Sequence, residues 1–251
     1  MNILVCLKRV PELTEAQIRP TQDGLAIRSQ GLVWELNEWD AFALEWALRL
    51  AEEAGGSVKA VTLGREDDEE ILFRALAMGA GEALRLAWEE PGYLDPALIA
   101  QALADLVREI GPDLVLTGVQ SSDLGQAQIG LRLAGLLGWA QASMIVGLEE
   151  VKPSSLVLRR ELEAGWEERL EVDLPAVLTI QSNPNPPRYV SVLGIRKARK
   201  RPLEVKPVSL VGRPGLSQLL GLETVVKKRQ VEFFDPDLAA QRLAAVIKDR
   251  I

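Results

Sequence analysis

Apolar positions along the first part of this chain alternate between two rhythms. "ILVCLKRV" (3–10) is an apolar run broken late by charge, the mark of a strand covered on both faces. "AFALEWALRLAEEAG" (41–55) carries apolar residues at helical spacing and stops at Gly55-Gly56, which predicts a helix. "SVKAVTLG" (57–64) reads as a strand, and "DDEEILFRALAMGA" (67–80) as a helix whose acidic first turn suits the positive end of its dipole. "EALRLAW" (82–88) and "PDLVLTG" (112–118) read as strands. "DPALIAQALADLVREIG" (95–111), with Pro96 near its start, and "GQAQIGLRLAGLLG" (125–138) read as helices. Strands alternating with amphipathic helices predict an α/β fold built on a doubly wound, mostly parallel sheet.

After residue 140 the rhythm changes. "SLVLRRELEAGWEERLEVDLPAVLTI" (155–180) predicts two antiparallel strands turning near Ala164-Gly165, then a buried strand at 176–180. Beyond Gln181 the chain is proline-rich and poor in core signals until "DPDLAAQRLAAVIKDRI" (235–251), a terminal helix. So long a segment rarely belongs inside a compact domain. The expected division is an α/β domain over 1–180 and an extended arm over 181–251 that wraps another polypeptide. The arm opens on "NPNPPRYVSVLGIRKARKRP" (183–202), where an apolar patch at 189–195 precedes five basic residues in the six positions 196–201.

Composition narrows the chemistry. A chain of 251 residues with 47% hydrophobic and 26% charged residues supports one large globular domain, or one domain with appendages. Charges interrupt every apolar run before it reaches membrane-spanning length. "MNILVCLKRV" reads as a strand rather than a signal peptide, so a cytoplasmic location is expected and membrane insertion is not. With no histidine, histidine general-base chemistry and histidine metal ligation are impossible within this chain. The single Cys6 excludes an intrachain disulfide and a cysteine metal cluster, and its apolar setting reads as a small buried hydrophobe. Such a chain works with carboxylates or lysines, or leaves the chemistry to a bound cofactor; the second is expected. A net charge of -7 opposes a polyanion despite the basic run, so nucleic acid is not the expected partner.

In an open α/β sheet ligands sit at the carboxyl ends of strands beside a helix N-terminus. "LTGVQSSDLGQAQIG" (116–130) has that form: Gly118 ends a strand, Ser121, Ser122 and Asp123 supply polar groups, and Gly125 opens the helix. The serines and helix N–H groups suit a phosphate, whereas Asp123 suits an amide, a hydroxyl or a ribose. A polar loop with a helix cap accounts for the same residues. In "LNEWDAFALE" (36–45), Asn37 or Asp40 is placed to cap a helix, with Trp39 at its start as core, interface or cofactor contact.

"VLRRELEAGWEERLEVDLPAVLT" (157–179) resembles the signature segment of electron-transfer flavoprotein beta subunits. "ILVCLKRVPE", "LNEWDAFALEWALRL", "RALAMGA" (74–80) and "GVQSSDLGQAQIG" resemble the same family in order. "NPPRYVSVLGIRKARKRPLE" is similar to its partner-recognition loop and following basic helix. The resemblance implies a Rossmann-like, adenine-nucleotide-binding domain without an active site of its own. The chain would be the smaller subunit of a heterodimer whose alpha subunit holds most of an FAD. That pair would carry electrons from acyl-CoA and related dehydrogenases to a membrane quinone oxidoreductase, and the beta subunit would hold a structural AMP.

By resemblance, the AMP site draws on Cys6, Asn37, Trp39, Asp40, Leu63 and the loop Gly118, Gln120, Ser121, Ser122, Asp123, Gly125, Gln126, Ala127, Gln128 and Ile129. Trp39 takes the position where an aromatic approaches the flavin, and Leu13 stands where some relatives carry a tyrosine. The resemblance gives partner binding to Tyr189, Val192, Leu193, Ile195, Arg196 and Lys197, with an anchoring aliphatic at Val192 or Leu193. In a bifurcating relative a second, redox-active FAD replaces AMP. Such relatives carry Thr-x-Gln-Val-Gly-Pro where this chain reads Ala127-Gln128-Ile129-Gly130-Leu131. A stand-alone nucleotide-hydrolysing or adenylating enzyme would need a Ser/Gly-rich pyrophosphate loop after the first strand, and "CLKRVPELTE" has none.

Overall fold

Asn2–Cys6 (β1) is buried on both faces and forms the middle of the sheet. The computed structural model describes residues 1–12, 18–90, 92–210, 213, 215–224, 233 and 235–248. Around β1 the parallel strands are Ser57–Gly64 (β4), Glu82–Ala87 (β5), Leu114–Gly118 (β6) and Ala176–Ile180 (β10). Ala140–Val151 (β7) continues the parallel run beyond β10. Ser155–Glu161 (β8) and Glu167–Asp173 (β9) then add an antiparallel hairpin. Glu204–Pro207 (β11) pairs parallel to β5 at the opposite edge. The nine-stranded order is β11-β5-β4-β1-β6-β10-β7-β8-β9.

Helices cover both faces. Glu38–Ala54 (α1) and Glu69–Met78 (α2) bury their apolar stripes against Ile3, Val5, Val58 and Leu116 on one side. Pro96–Ile110 (α3) and Ile129–Leu137 (α4) pack against Leu4, Val61, Leu84 and Val115 on the other. The fold is therefore the expected mostly parallel, Rossmann-like α/β arrangement with an antiparallel addition.

The expected strand over 3–10 is two pieces. After Cys6 the chain leaves the sheet, and Arg9–Pro11 (β2) pairs antiparallel with Trp34–Leu36 (β3) in a separate ribbon. The cause is a long-range contact: the Lys8 N–H donates to the Asp40 carboxylate instead of a neighbouring strand. The expected helix over 125–138 begins only at Ile129, because Gly125 and Ala127 take positive φ (59° and 51°) and cannot start it. β7 had no alternating signal because its register shifts at two points against β8 and Met144 lies at φ 58°.

Within residues 181–251, Arg188 ties the chain to α1. Its backbone and guanidinium donate to the fully buried Glu45 at 2.9–3.2 Å, and the guanidinium reaches Glu52 at 2.8 Å. Val192–Ala198 (α5) is capped by Ser191 Oγ, which accepts from the Gly194 N–H at 3.1 Å, and it packs on α2. The chain then passes α3, where Arg213 meets Asp105 at 2.6 Å, and the Leu222 N–H donates to the Gly24 carbonyl at 2.8 Å. Pro236–Lys248 (α6) exposes Leu238, Leu243, Val246 and Ile247.

Candidate functional site

β1 hands on to β4 on one side while β6 hands on toward β10 on the other, so the strand order reverses between β1 and β6. The crevice beyond their carboxyl ends is where an open α/β sheet takes its ligand. A cavity of about 150 Å³ lies there, lined from β1 by Cys6, from β4 by Leu63 and from β6 by Thr117 and Gly118. The start of α1 adds Asn37 and Asp40; Gln120, Ser121 and the loop through Ile129 close the mouth.

Asn37 and Asp40 are nearly fully buried; Asn37 holds the N-cap position of α1, as expected, but the helix has no side-chain cap bond. The two side chains instead join the two strand ends. Asp40 accepts from the Lys8 N–H at 2.8 Å and from the Gly118 N–H at 3.0 Å. Asn37 donates to the Gln120 carbonyl at 2.8 Å and accepts from the Ser122 N–H at 3.2 Å. This is why Gly118 is a glycine: a Cβ there would collide with Asp40 Oδ1 and come within 2.7 Å of Trp39 Cβ. At Gly130 it would lie 2.5 Å from Thr179 Cγ2, so the first turn of α4 can lie directly on β6 and β10.

Electrostatics divide the crevice into floor and mouth. Burial pushes the Asp40 carboxyl up to about 7, against the pull of the Lys8, Asn37 and Gly118 hydrogen bonds. Burial, and then the Asp40 charge, push the Cys6 thiol well above its ordinary range, so it stays protonated and inert. At the mouth, Lys8 Nζ lies 2.6 Å from both Asp123 oxygens and 3.2 Å from Ser121 Oγ. The acceptor role expected of Asp123 is thus filled by the chain's own ammonium. Beside this pair, the N–H groups of Gln126, Ala127, Gln128 and Ile129 meet no acceptor among the described residues. Free donors leading into a helix start, next to a neutralised carboxylate, make this a candidate anion seat on their chemistry.

Of the sequence-derived ligand residues, Cys6, Asn37, Asp40, Leu63, Gly118, Gln120, Ser121, Gln126, Ala127, Gln128 and Ile129 line the cavity. Trp39, Ser122, Asp123 and Gly125 border it without lining it. Trp39 is half-buried beside Gly118. Leu13 lies outside the described residues. Sequence reasoning missed Lys8, whose charge seemed part of a strand, and Thr117. It also missed Pro96, Ile99 and Leu103 of α3, which repeat at the spacing of any core-facing stripe.

Tyr189, Val192 and Leu193 stand 90%, 69% and 74% exposed along one short stretch. Ile195 is half-buried, and Arg196 and Lys197 face solvent. The rest of the basic run is divided: Arg199 pairs with Glu70 at 3.2 Å, and Arg201 donates to the Ala80 and Gly81 carbonyls. Among the described residues no helix is long and apolar enough to cross a membrane.

The fold and crevice define a doubly wound α/β protein with a cavity at the switch point of a Rossmann-like sheet. A family model described as "Electron transfer flavoprotein domain" matches residues 24–211. The chain is 36% identical over 218 residues to electron transfer flavoprotein subunit beta of Methylophilus methylotrophus, covering 84% of this chain and 81% of that protein. It is 36% identical over 205 residues to the subunit of that name in Bacillus subtilis, covering 81% and 78% of the two. It is 37% identical over 209 residues to the Caffeyl-CoA reductase-Etf complex subunit CarD of Acetobacterium woodii, covering 82% and 78%. This chain belongs to the electron transfer flavoprotein beta-subunit family, and electron transport by a flavoprotein is the business of that family.

Proposed function

We propose that this chain is the beta subunit of a heterodimeric electron carrier, keeps an AMP in the β1/β6 crevice and completes the FAD site of an alpha subunit. The observation that carries the AMP reading is the anion seat: four unpaired N–H groups beside a Lys8–Asp123 pair, at the mouth of an otherwise apolar crevice. The donor set fits a nucleotide monophosphate. The phosphate would rest on the Gln126–Ile129 amides, and Lys8 would offset the charge of Asp123. Apolar walls from Leu63, Ile99 and Leu103 would hold the base. The buried Asp40 and Asn37 keep the two strand ends at fixed separation so that the cradle exists before the ligand arrives.

The chain itself performs no bond-making step. FAD, held chiefly by the alpha subunit, supplies reversible electron uptake and release. Half-buried Trp39, next to the crevice, is the residue we assign to the flavin's neighbourhood. The exposed helix α6 and the solvent-facing side of the segment leading to it would pack on the alpha subunit. Tyr189, Val192, Leu193, Ile195, Arg196 and Lys197 meet acyl-CoA and related dehydrogenases, and electrons leave for a membrane quinone oxidoreductase. Localisation is cytoplasmic, nucleic acid is not a partner, and the chain does not insert directly into a membrane.

Mass spectrometry of the small molecule released from native protein tests this reading. AMP at one per chain supports it. FAD at one per chain, with a yellow beta subunit, replaces it with the bifurcating reading, and an empty crevice removes the structural-ligand role.

A further inference from the structure

Gln126, which lines the crevice, donates its side-chain amide to the Tyr93 hydroxyl at 3.0 Å. The same hydroxyl lies 2.8 Å from Ser217 Oγ, far along the chain in the segment that passes α3. Ser217 Oγ in turn donates to Asp95 Oδ2 at 3.0 Å, and that oxygen also accepts the backbone N–H groups of Leu216 and Ser217. The other oxygen of Asp95 caps α3 by accepting the Ala97 N–H at 2.6 Å. The next residue, Pro96, is itself a wall of the crevice. Even Gly215 belongs to this geometry, since a Cβ there would lie 3.3 Å from Asp95 Oδ2. Burial alone would raise the Asp95 carboxyl, but its N–H donors overcome this and hold it below the usual carboxylate range. Asp95 is therefore an ionised, 5% exposed anchor.

We propose that Tyr93 is a positioning residue: with Asp95 and Ser217 it latches the 215–217 segment to the ligand loop, so that loop order and segment seating rise and fall together. Tyr93 is half-buried and does not itself line the cavity; it meets the wall only through Gln126. Its hydroxyl nevertheless bridges the two pieces of chain, which are otherwise separated by roughly ninety residues of sequence. The segment is irregular between its anchors at Asp105, Asp95 and Gly24. Such a segment has little apolar burial of its own and opens easily, so a few shared hydrogen bonds decide how long it stays seated. A ligand that orders Gln126 lowers the cost of ordering Ser217, and the linkage is reciprocal. The linkage to AMP rests on the function proposed above; the latch itself does not.

The test uses hydrogen exchange on the full chain, wild type against Ser217→Ala and Tyr93→Phe. Ser217→Ala keeps the Asp95 bonds to the two backbone N–H groups and removes only the hydroxyl. Its expected effect is faster exchange, about threefold to tenfold, in the loop over 124–128, which the substituted residue does not touch. Tyr93→Phe should speed exchange in both segments, and Ser217→Thr, which restores a hydroxyl, should reverse the effect. AMP added to wild type should slow exchange at 215–218, and in Tyr93→Phe that response should be lost. Unchanged loop exchange in Ser217→Ala overturns the latch whether or not AMP binds. Failure of AMP to bind wild type, with the loop still loosened by Ser217→Ala, overturns the AMP reading and leaves the latch standing.

Discussion

Asp40 joins the ends of β1 and β6 from a position with 6% exposure, and that burial should show as a pH dependence opposite to the usual one for a carboxylate. Its folded-state pKa is raised from 3.8 to about 7, with burial the largest cause. Between these values the native state binds a proton that the unfolded state has released. The contribution of this group to stability is therefore greatest below pH 4, falls as pH rises and levels off above about 7. A shift of roughly three pH units corresponds to about 4 kcal/mol across that window. In Asp40→Asn the proton linkage disappears, while a permanent cost of about 1–3 kcal/mol remains because an amide N–H now faces one backbone donor. Urea unfolding of both proteins at intervals from pH 4.5 to 8 isolates Asp40, since the other carboxylates cancel in the difference. The variant should be clearly less stable than wild type at the acid end and should recover about 3 kcal/mol relative to it by pH 8. Parallel curves would show that Asp40 titrates normally and that its N–H donors offset burial.

Three other perturbations read separate parts of the molecule. Lys8→Ala leaves Asp123 uncompensated beside the anion seat, so AMP affinity measured by calorimetry should fall about tenfold, and Lys8→Ala/Asp123→Asn should recover most of the loss. Arg188→Ala strips the fully buried Glu45 of its main partner while Arg49 remains at 2.8 Å, and should lower stability to urea by about 3 kcal/mol. Val192→Ala/Leu193→Ala should raise the apparent KM of a partner dehydrogenase for the heterodimer roughly 5- to 150-fold with flavin occupancy unchanged; wild-type kinetics would remove the anchoring role.

The parallel core was legible because its strands and helices each carry a periodicity of their own: 57–64 is a strand to the residue, and the hairpin that precedes the 176–180 strand turns where Ala164-Gly165 puts it. Long-range contacts were not legible. Lys8 looks like the middle of a strand until Asp40, 32 residues on, takes its N–H. β7 hides because register shifts break its alternation, and β11 because its four residues, Glu-Val-Lys-Pro, are an exposed edge. At the site, Ser121, Gln126 and Gln128 were found because a strand-to-helix loop advertises itself with polar residues. Ile99 and Leu103 were not, because an apolar ligand wall and an apolar core face are written with the same residues at the same spacing.

Charge also bears on why a basic cluster in an acidic chain need not be read as a nucleic-acid site. Arg199 and Arg201 are committed to Glu70 and to the carbonyls of Ala80 and Gly81, so they fix α5 in place rather than project a field. Arg196, Lys197 and Lys200 remain exposed, beside the apolar side chains of Tyr189, Val192 and Leu193. Beyond about 8 Å at physiological salt their field is screened, and the net charge of -7 repels a long polyanion whose phosphates reach past the patch. On the function proposed above, a protein partner with a compact acidic rim would meet the three cations at close range and the aliphatic side chains at contact. Apolar contact of that size sets how long such a complex lasts, and the cations set how often it forms. An electron carrier that must leave one partner to reach the next needs this division, because raising the encounter rate through charge speeds turnover without lengthening the complex.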